Sequence, residues 1–425
     1  MKRVLILSGT QLSANPRVVK EADVLAEAGY RVEVVGGLFD SNLAEREHAI
    51  HESKRWDYKR LVDAGSDFGR DRLRWLWLRA RRRISREAYA RFGIESSRQL
   101  GYLAPEMLAY AMERDADLTI VHNAAAVWVG SQLIRRGKRV AVDMEDWHSE
   151  DLSPEEKKHF PMHAQRSFEA ETLLGSVFST TTSRCMSDAL AEAYRCEAPA
   201  VVYNSFPWSD RDTIDGLHRD RVNTKIPSIY WFSQVIGPRR GLESLMDALH
   251  RVDVPCEMHL RGSVSQSYKQ ELLSRAPESW RERIYFHAQV AHEELLSRAA
   301  EHDIGLAPDI PHSRSRALTI TNKLLLYLLA GVPVVASDTD GQQEAAALAD
   351  GGVFLYSRTD AAECASVLNR LLSDPGRRAR ARGHALQAAK GVFSWERSAD
   401  VLRSGVEKGL LAEVGQGLIL RAYGG

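Results

Sequence analysis

Asp303–Asp338 reads DIGLAPDIPHSRSRALTITNKLLLYLLAGVPVVASD. Its opening, Asp303–Pro308, has the apolar character of a buried strand, and a polar, basic loop follows. The pattern that starts at Thr321-Asn322-Lys323 predicts a helix, which Gly331 ends. Pro333 then precedes a second buried strand, Val334–Ser337. Strand, loop, helix and strand in this order make a βαβ unit of a parallel sheet. Open parallel sheets bind ligands beyond the carboxyl ends of their strands, and helix N-termini there suit phosphate. Arg314, Arg316 and Lys323 lie on that loop and helix start. The unit therefore has the parts needed to hold a diphosphate.

The same alternation runs through the chain. Val4–Leu7, Arg31–Val35, Leu118–Val121, Arg139–Val142, Val177–Thr181 and Ala200–Tyr203 read as strands. Asn15 is a good N-cap, Pro16 fits the first helical position, and Val18, Ala22, Leu25 and Ala26 form an apolar face. Trp208–Pro227 is polar and charged and reads as a linker. A second series follows at Ile229–Phe232, Glu257–Leu260, Ile284–His287, Ile304–Ala307, Val334–Ala336 and Val353–Tyr356. The expectation is an α/β protein with two doubly wound, Rossmann-like domains. The first spans 1–207, the linker 208–227, the second 228–392, and 393–425 is a closing helix.

Composition narrows the function. The chain has 425 residues, with 57 basic and 57 acidic side chains. That balance argues against nucleic acid as a partner. Four cysteines occur without a CxxC pair, which fits a reducing compartment and no structural zinc. Met1-Lys2-Arg3 leads into only four apolar residues, unlike a secretory leader. No apolar run approaches the roughly 20 residues of a membrane span. These features predict a cytoplasmic protein. Arg70–Phe92 is the exception to an ordinary surface, with nine arginines interleaved with Leu73, Trp75, Leu76, Trp77, Leu78 and Ile84. It reads either as an interfacial helix on anionic lipid or as a solvated helix whose aromatics pack on the domain.

Five segments together resemble the family 4 glycosyltransferases, enzymes of the two-domain GT-B fold. They are Ser13–Arg17 with the helix after it, Val202–Pro207, Trp231–Glu243, Asn322-Lys323 with Tyr327 and AGVPVVASD, and Phe393-Ser394-Trp395. The resemblance covers nearly the whole chain. It implies two Rossmann-like domains facing across a cleft. It also implies transfer of a sugar from a nucleotide diphosphate sugar to a saccharide or lipid-linked acceptor at the inner membrane face. Retention of configuration, no metal and no cofactor are implied likewise. Two alternatives remain open, a donor-binding or scaffold subunit without activity and a GT-B nucleotide-sugar epimerase.

A departing nucleoside diphosphate needs fixed cations and helix-end amides more than a nucleophile. Arg240, just before Gly241 where the family has a basic-Gly pair, and Lys323, on a helix's first turn, are the expected diphosphate cations. Gln234, Arg239, Asn322 and Gly9 are expected beside the donor. Glu344 matches a family glutamate expected on sugar or ribose hydroxyls. Glu145 and Asp146 end a strand where the family often shows His followed by an acid, and are the acid–base candidates. Asn15, Arg17, His122 and His148 are expected on the acceptor side. Asp338-Thr339-Asp340 has a metal-site spelling but reads as a backbone loop near the sugar. Two positions depart from the family. Leu318 and Leu326 stand where many members carry glutamates, one near the reacting sugar and one on the ribose.

Overall fold

The computed structural model describes residues 1–65 and 69–412. Two compact units emerge. The first comprises residues 1–202, the short piece 313–315 and the chain from 399 on; the second comprises 203–312 and 316–398. The closing helix Trp395–Leu411 begins in the second unit and continues in the first. Residues 413–425 of the expected closing stretch lie outside the described residues.

The first unit holds a seven-stranded parallel sheet in the order β3-β2-β1-β4-β5-β6-β7. Its strands are β1 (Arg3–Ser8), β2 (Arg31–Leu38), β3 (Asp57–Asp63), β4 (Leu118–His122), β5 (Val140–Met144), β6 (Phe178–Thr181) and β7 (Ala200–Val201). β3 was not expected from sequence. Its first half, Asp57-Tyr58-Lys59-Arg60, is polar, as suits an edge strand with one face in water. β7 is shorter than expected, because the chain leaves the sheet after Val201.

The second unit holds six parallel strands in the order β10-β9-β8-β11-β12-β13. They are β8 (Ser228–Ile236), β9 (Glu257–Val264), β10 (Ile284–His287), β11 (Ile304–Ala307), β12 (Val334–Ser337) and β13 (Val353–Tyr356). Side chains alternate between two helix-covered faces. Tyr230 and Val334 pack with Tyr327 and Leu324 on one face, while Trp231 and Val335 pack with Leu260 and Leu368 on the other. This order makes the carboxyl ends of β8 and β11 a topological switch point, where a crevice forms. The two strands pair only at Ile229 and Tyr230, against Ile304 and Gly305. Tyr327 Oη donates to the Tyr230 carbonyl at 3.0 Å, and its ring lies where a Gly305 side chain would be.

The stretch 208–227 is more than a solvated linker. Trp208–Thr213 forms a 3₁₀ turn. Beyond it Arg221 reaches Glu257 and Asp303 at 3.2 Å each, Asp220 pairs with Arg261, and Asp215 lies 2.5 Å from Arg298. These charged side chains pair with residues of β9, with Asp303 just before β11 and with Arg298 of the helix His292–Ala300.

Candidate functional site: the carboxyl edges of the two sheets

On the first sheet, charge is organised beneath the edge. Asn15 caps the helix Pro16–Glu27 by accepting from the Val18 amide at 3.2 Å. Arg17, in that helix's first turn, is 2 % exposed. It donates to both carboxylate oxygens of Asp143, at 2.5 and 3.1 Å, and to the Val202 carbonyl at 2.6 Å. His122 Nε2 meets Glu21 at 2.5 Å, and its Nδ1 is 3.6 Å from Asp143. Burial alone would lower the His122 pKa, but the charges of Glu21 and Asp143 raise it above the usual value. Burial would likewise raise Asp143, yet Arg17 and His122 hold it low. Two cations and two anions thus balance in the core.

These placements revise the acceptor-side expectation for Asn15, Arg17 and His122. Each is buried and already bonded, so each shapes the edge from below. Gly9 has a packing reason as well. A side chain there would come within 2.7 Å of Asn123 Oδ1. Glu21, His122 and Asp143 also have the spacing of a metal site. A fixed guanidinium already occupies both oxygens of Asp143, so the donor set does not fit a further cation.

Glu145 and Asp146 follow β5 directly. Burial pushes the Glu145 carboxyl up to about 7; the nearby Arg17 charge opposes this, and Asp146 and Asp143 add to it. A carboxyl poised near neutrality suits proton transfer. His148 lies three residues on. Burial holds it below the usual imidazole value, and its buried Nε2 has no partner.

On the second sheet the switch point collects the expected donor residues. β8 has a register shift between Phe232 and Val235 that leaves Gln234 exposed. The turn after β8 carries Arg239 at φ 63° and Gly241 at φ 76°. A side chain on Gly241 would meet the Pro308 carbonyl oxygen at 1.7 Å, so only glycine lets this turn lie against the end of β11. Arg239 and Arg240 are exposed there, with no ion pair among the described residues.

The next residue along β11's exit is Asp309, 3.6 Å from Lys323. Lys323 sits in the first turn of the helix Asn322–Ala330, its side chain only 11 % exposed and 5.5 Å above the Trp231 ring. Thr321 occupies the N-cap position, and its side chain makes no cap hydrogen bond to the helix. Its Oγ1 and Asp309 Oδ2 are buried without partners. Buried polar atoms are rarely left so. Arg314, on the same loop, belongs to the first unit and lies 4.7 Å from the Trp147 ring.

Glu344 lies one turn into the helix Asp340–Ala349 and accepts from Tyr203 Oη at 2.9 Å. Asp338 accepts from the Arg358 amide at 3.0 Å, and Thr339 caps the same helix. Leu318 and Leu326 are both buried, and Leu326 is part of the hydrophobic core. Neither supplies the polar contact a glutamate would.

Asp309, Thr321, Trp231, Glu21 and Asp143 were missed as site or support residues. Glu21 did carry a signal. It falls on the apolar face that Val18, Ala22 and Leu25 define, where a charge implies a buried partner.

Two parallel Rossmann-like domains with this strand order define the GT-B fold. Comparison with known proteins agrees. Residues 226–374 match the family model described as glycosyl transferases group 1, so the second domain is of glycosyltransferase type. Sucrose-phosphate synthase from Thermosynechococcus elongatus superposes with a TM-score of 0.68 at 15% identity, over 96% of this chain and 99% of that one. HepE from Anabaena, solved with UDP, gives 0.66 at 19% identity, over 96% and 100%; it was also solved with UDP-glucose. A UDP-forming α,α-trehalose-phosphate synthase from Burkholderia xenovorans gives 0.65 at 12% identity, over 98% and 100%. No curated protein sequence matches the chain.

The Glu145 environment has a measurable consequence. In the unfolded chain Glu145 ionises near its ordinary value, whereas in the fold it ionises near 7. Between those values the unfolded state loses the proton first, so stability falls as pH rises through this window and levels off above it. Glu145→Gln is expected to flatten that fall in a melting-temperature series. An unchanged slope would show that Glu145 is not held neutral.

Proposed function

We propose that this protein is a glycosyltransferase of the family 4 type. It moves a sugar from a nucleoside diphosphate sugar to a saccharide or lipid-linked acceptor. The observation that carries this reading is the second-sheet switch point. There Lys323 is nearly buried 3.6 Å from Asp309, with Arg239 and Arg240 exposed on the turn that Gly241 lays against Pro308. A diphosphate would use the cations of Lys323 and Arg240 and the free amides at the start of the helix Asn322–Ala330. Charge grows on that group as the glycosidic bond to the donor breaks, so preorganised cations favour the transition state over the bound donor. Fixed cations take the place a metal would hold, and no cofactor is needed. Retention of configuration is the expected outcome, resting on the resemblance.

Glu145 is the proposed proton acceptor for the attacking hydroxyl, with Asp146 beside it. The buried Arg17–Asp143–His122–Glu21 network would keep Glu145 in place and set its charge. Glu344, oriented by Tyr203, is the proposed replacement for the hydroxyl contacts that Leu318 and Leu326 cannot make. Lys323→Ala and Arg240→Ala should each lower donor turnover by about 10²–10³-fold, the scale of losing one preorganised charge contact. Radiolabelled donor consumption checks this, and undiminished turnover in the double variant would sink the assignment.

The basic helix Gly69–Phe92 fits an acceptor presented at a membrane. Trp75 packs on Phe39 and Tyr102, Leu78 is fully buried, and Arg81 clasps Glu106 at 2.6 and 2.9 Å. That settles which face meets the domain. Leu73, Leu76, Trp77 and Ile84 are exposed on the other, flanked by Arg70, Arg72, Arg74 and Arg83. No described helix is long and apolar enough to cross a membrane. The proposal is therefore attachment to an anionic surface in the interfacial plane. Sedimentation with phosphatidylglycerol vesicles should fall when Leu73 and Trp77 become serine and when salt is raised. Equal sedimentation with neutral vesicles would reject it.

A further inference from the structure

The amino-terminal side of the second sheet, opposite the donor edge, holds a cavity of about 440 Å³, within the range of small-molecule sites. The stretch 208–227 forms one wall, and the end of the helix His292–Ala300 with the first half of the helix Pro375–Lys390 forms the rest. Its lining is strongly basic. Arg211, Arg221, Lys225, Arg378 and Arg382 contribute cations, against the carboxylates of Glu301 and Asp303. Those carboxylates are already engaged. Asp303 takes Arg221 at 3.2 Å and the Ser228 amide at 2.9 Å, and Glu301 takes Arg298 at 2.5 Å. Arg211, Lys225, Arg378 and Arg382 have no carboxylate partner among the described residues.

Two of these cations are fixed in place. Arg378 Nη1 donates to the Leu371 and Leu372 carbonyls at 2.8 and 2.6 Å, and Arg211 Nη1 donates to the Leu329 carbonyl. Each thereby answers the exposed carbonyls of a helix end, which is reason enough for one arginine at each. It does not explain Arg382 or Lys225. Arg211 is held below its ordinary pKa by burial first, and the charge of Arg382 adds to this. Like charges held together in this way are relieved by an anionic ligand.

We propose that this cavity binds a small phosphorylated metabolite, with its phosphate on Arg211, Arg378 and Arg382. The site is separate from the donor edge and does not depend on the proposed transferase chemistry.

Titration calorimetry on the full chain tests it, with inorganic phosphate, glucose 6-phosphate and glucose as probes. Both phosphates should bind saturably, and glucose alone should not bind. Arg382→Glu, an exposed position outside the donor machinery, should weaken both phosphates by about tenfold or more, the scale of one charge-assisted contact. Donor turnover should stay unchanged in that variant. Absence of saturable binding, or binding that Arg382→Glu leaves intact, overturns the site.

Discussion

A lysine in the first turn of a helix is repelled by that helix, because the N-terminal amides and the macrodipole present positive charge there. Lys323 is in that position, largely removed from water, with one carboxylate at 3.6 Å and an aromatic face below. Only a strong anionic partner makes such a placement favourable. Asp309 supplies part of that, and its second oxygen is itself unpartnered. The surroundings are arranged to keep the spot open. β8 and β11 pair for two residues only, Gly241 brings the arginine turn onto Pro308, and Thr321 leaves the helix amides uncapped. Each feature carries some cost in backbone strain or lost pairing, and all of them converge on one edge.

The first domain solves a different electrostatic problem. Four ionisable groups are buried together, and removing any one would leave an uncompensated charge in the core. Because Arg17 and His122 answer Asp143 and Glu21, the network is close to neutral. Glu145 stands beside it, and burial dominates its titration against the opposing charge of Arg17. The pattern is a common way of holding one carboxyl neutral beside another that stays charged.

Much of this was legible in the sequence, for reasons that differ by element. The βαβ units were readable because buried parallel strands are continuous apolar runs punctuated by glycine and proline. Val334–Ser337 after Gly331 and Pro333 is the plainest case. Edge strand β3 was not readable, since Asp57–Arg60 is polar and only Leu61 and Val62 are deeply buried. Lys323 and Arg240 could be named from position, but Asp309 and Thr321 could not. Their significance is that they lack partners, a property of three-dimensional neighbours. Arg17 and His122 were expected on the acceptor side, and both are buried in ion pairs. Recognising them as buried required pairing residues 126 and 101 positions apart. The partners of Asp220 and Arg221 on β9 and near β11 were not legible either, since they lie far off along the chain.

The central claim is that Lys323 and the Arg239–Gly241 turn exist to hold a diphosphate. Its most direct measurement is the affinity of the full chain for UDP relative to uridine, with GDP over guanosine and ADP over adenosine alongside, in the wild type and in Lys323→Ala. One of the three wild-type pairs should show a large preference for the diphosphate. Lys323→Ala should collapse that preference while leaving nucleoside binding unchanged. A preference that survives the substitution, or none in any pair, would contradict the account.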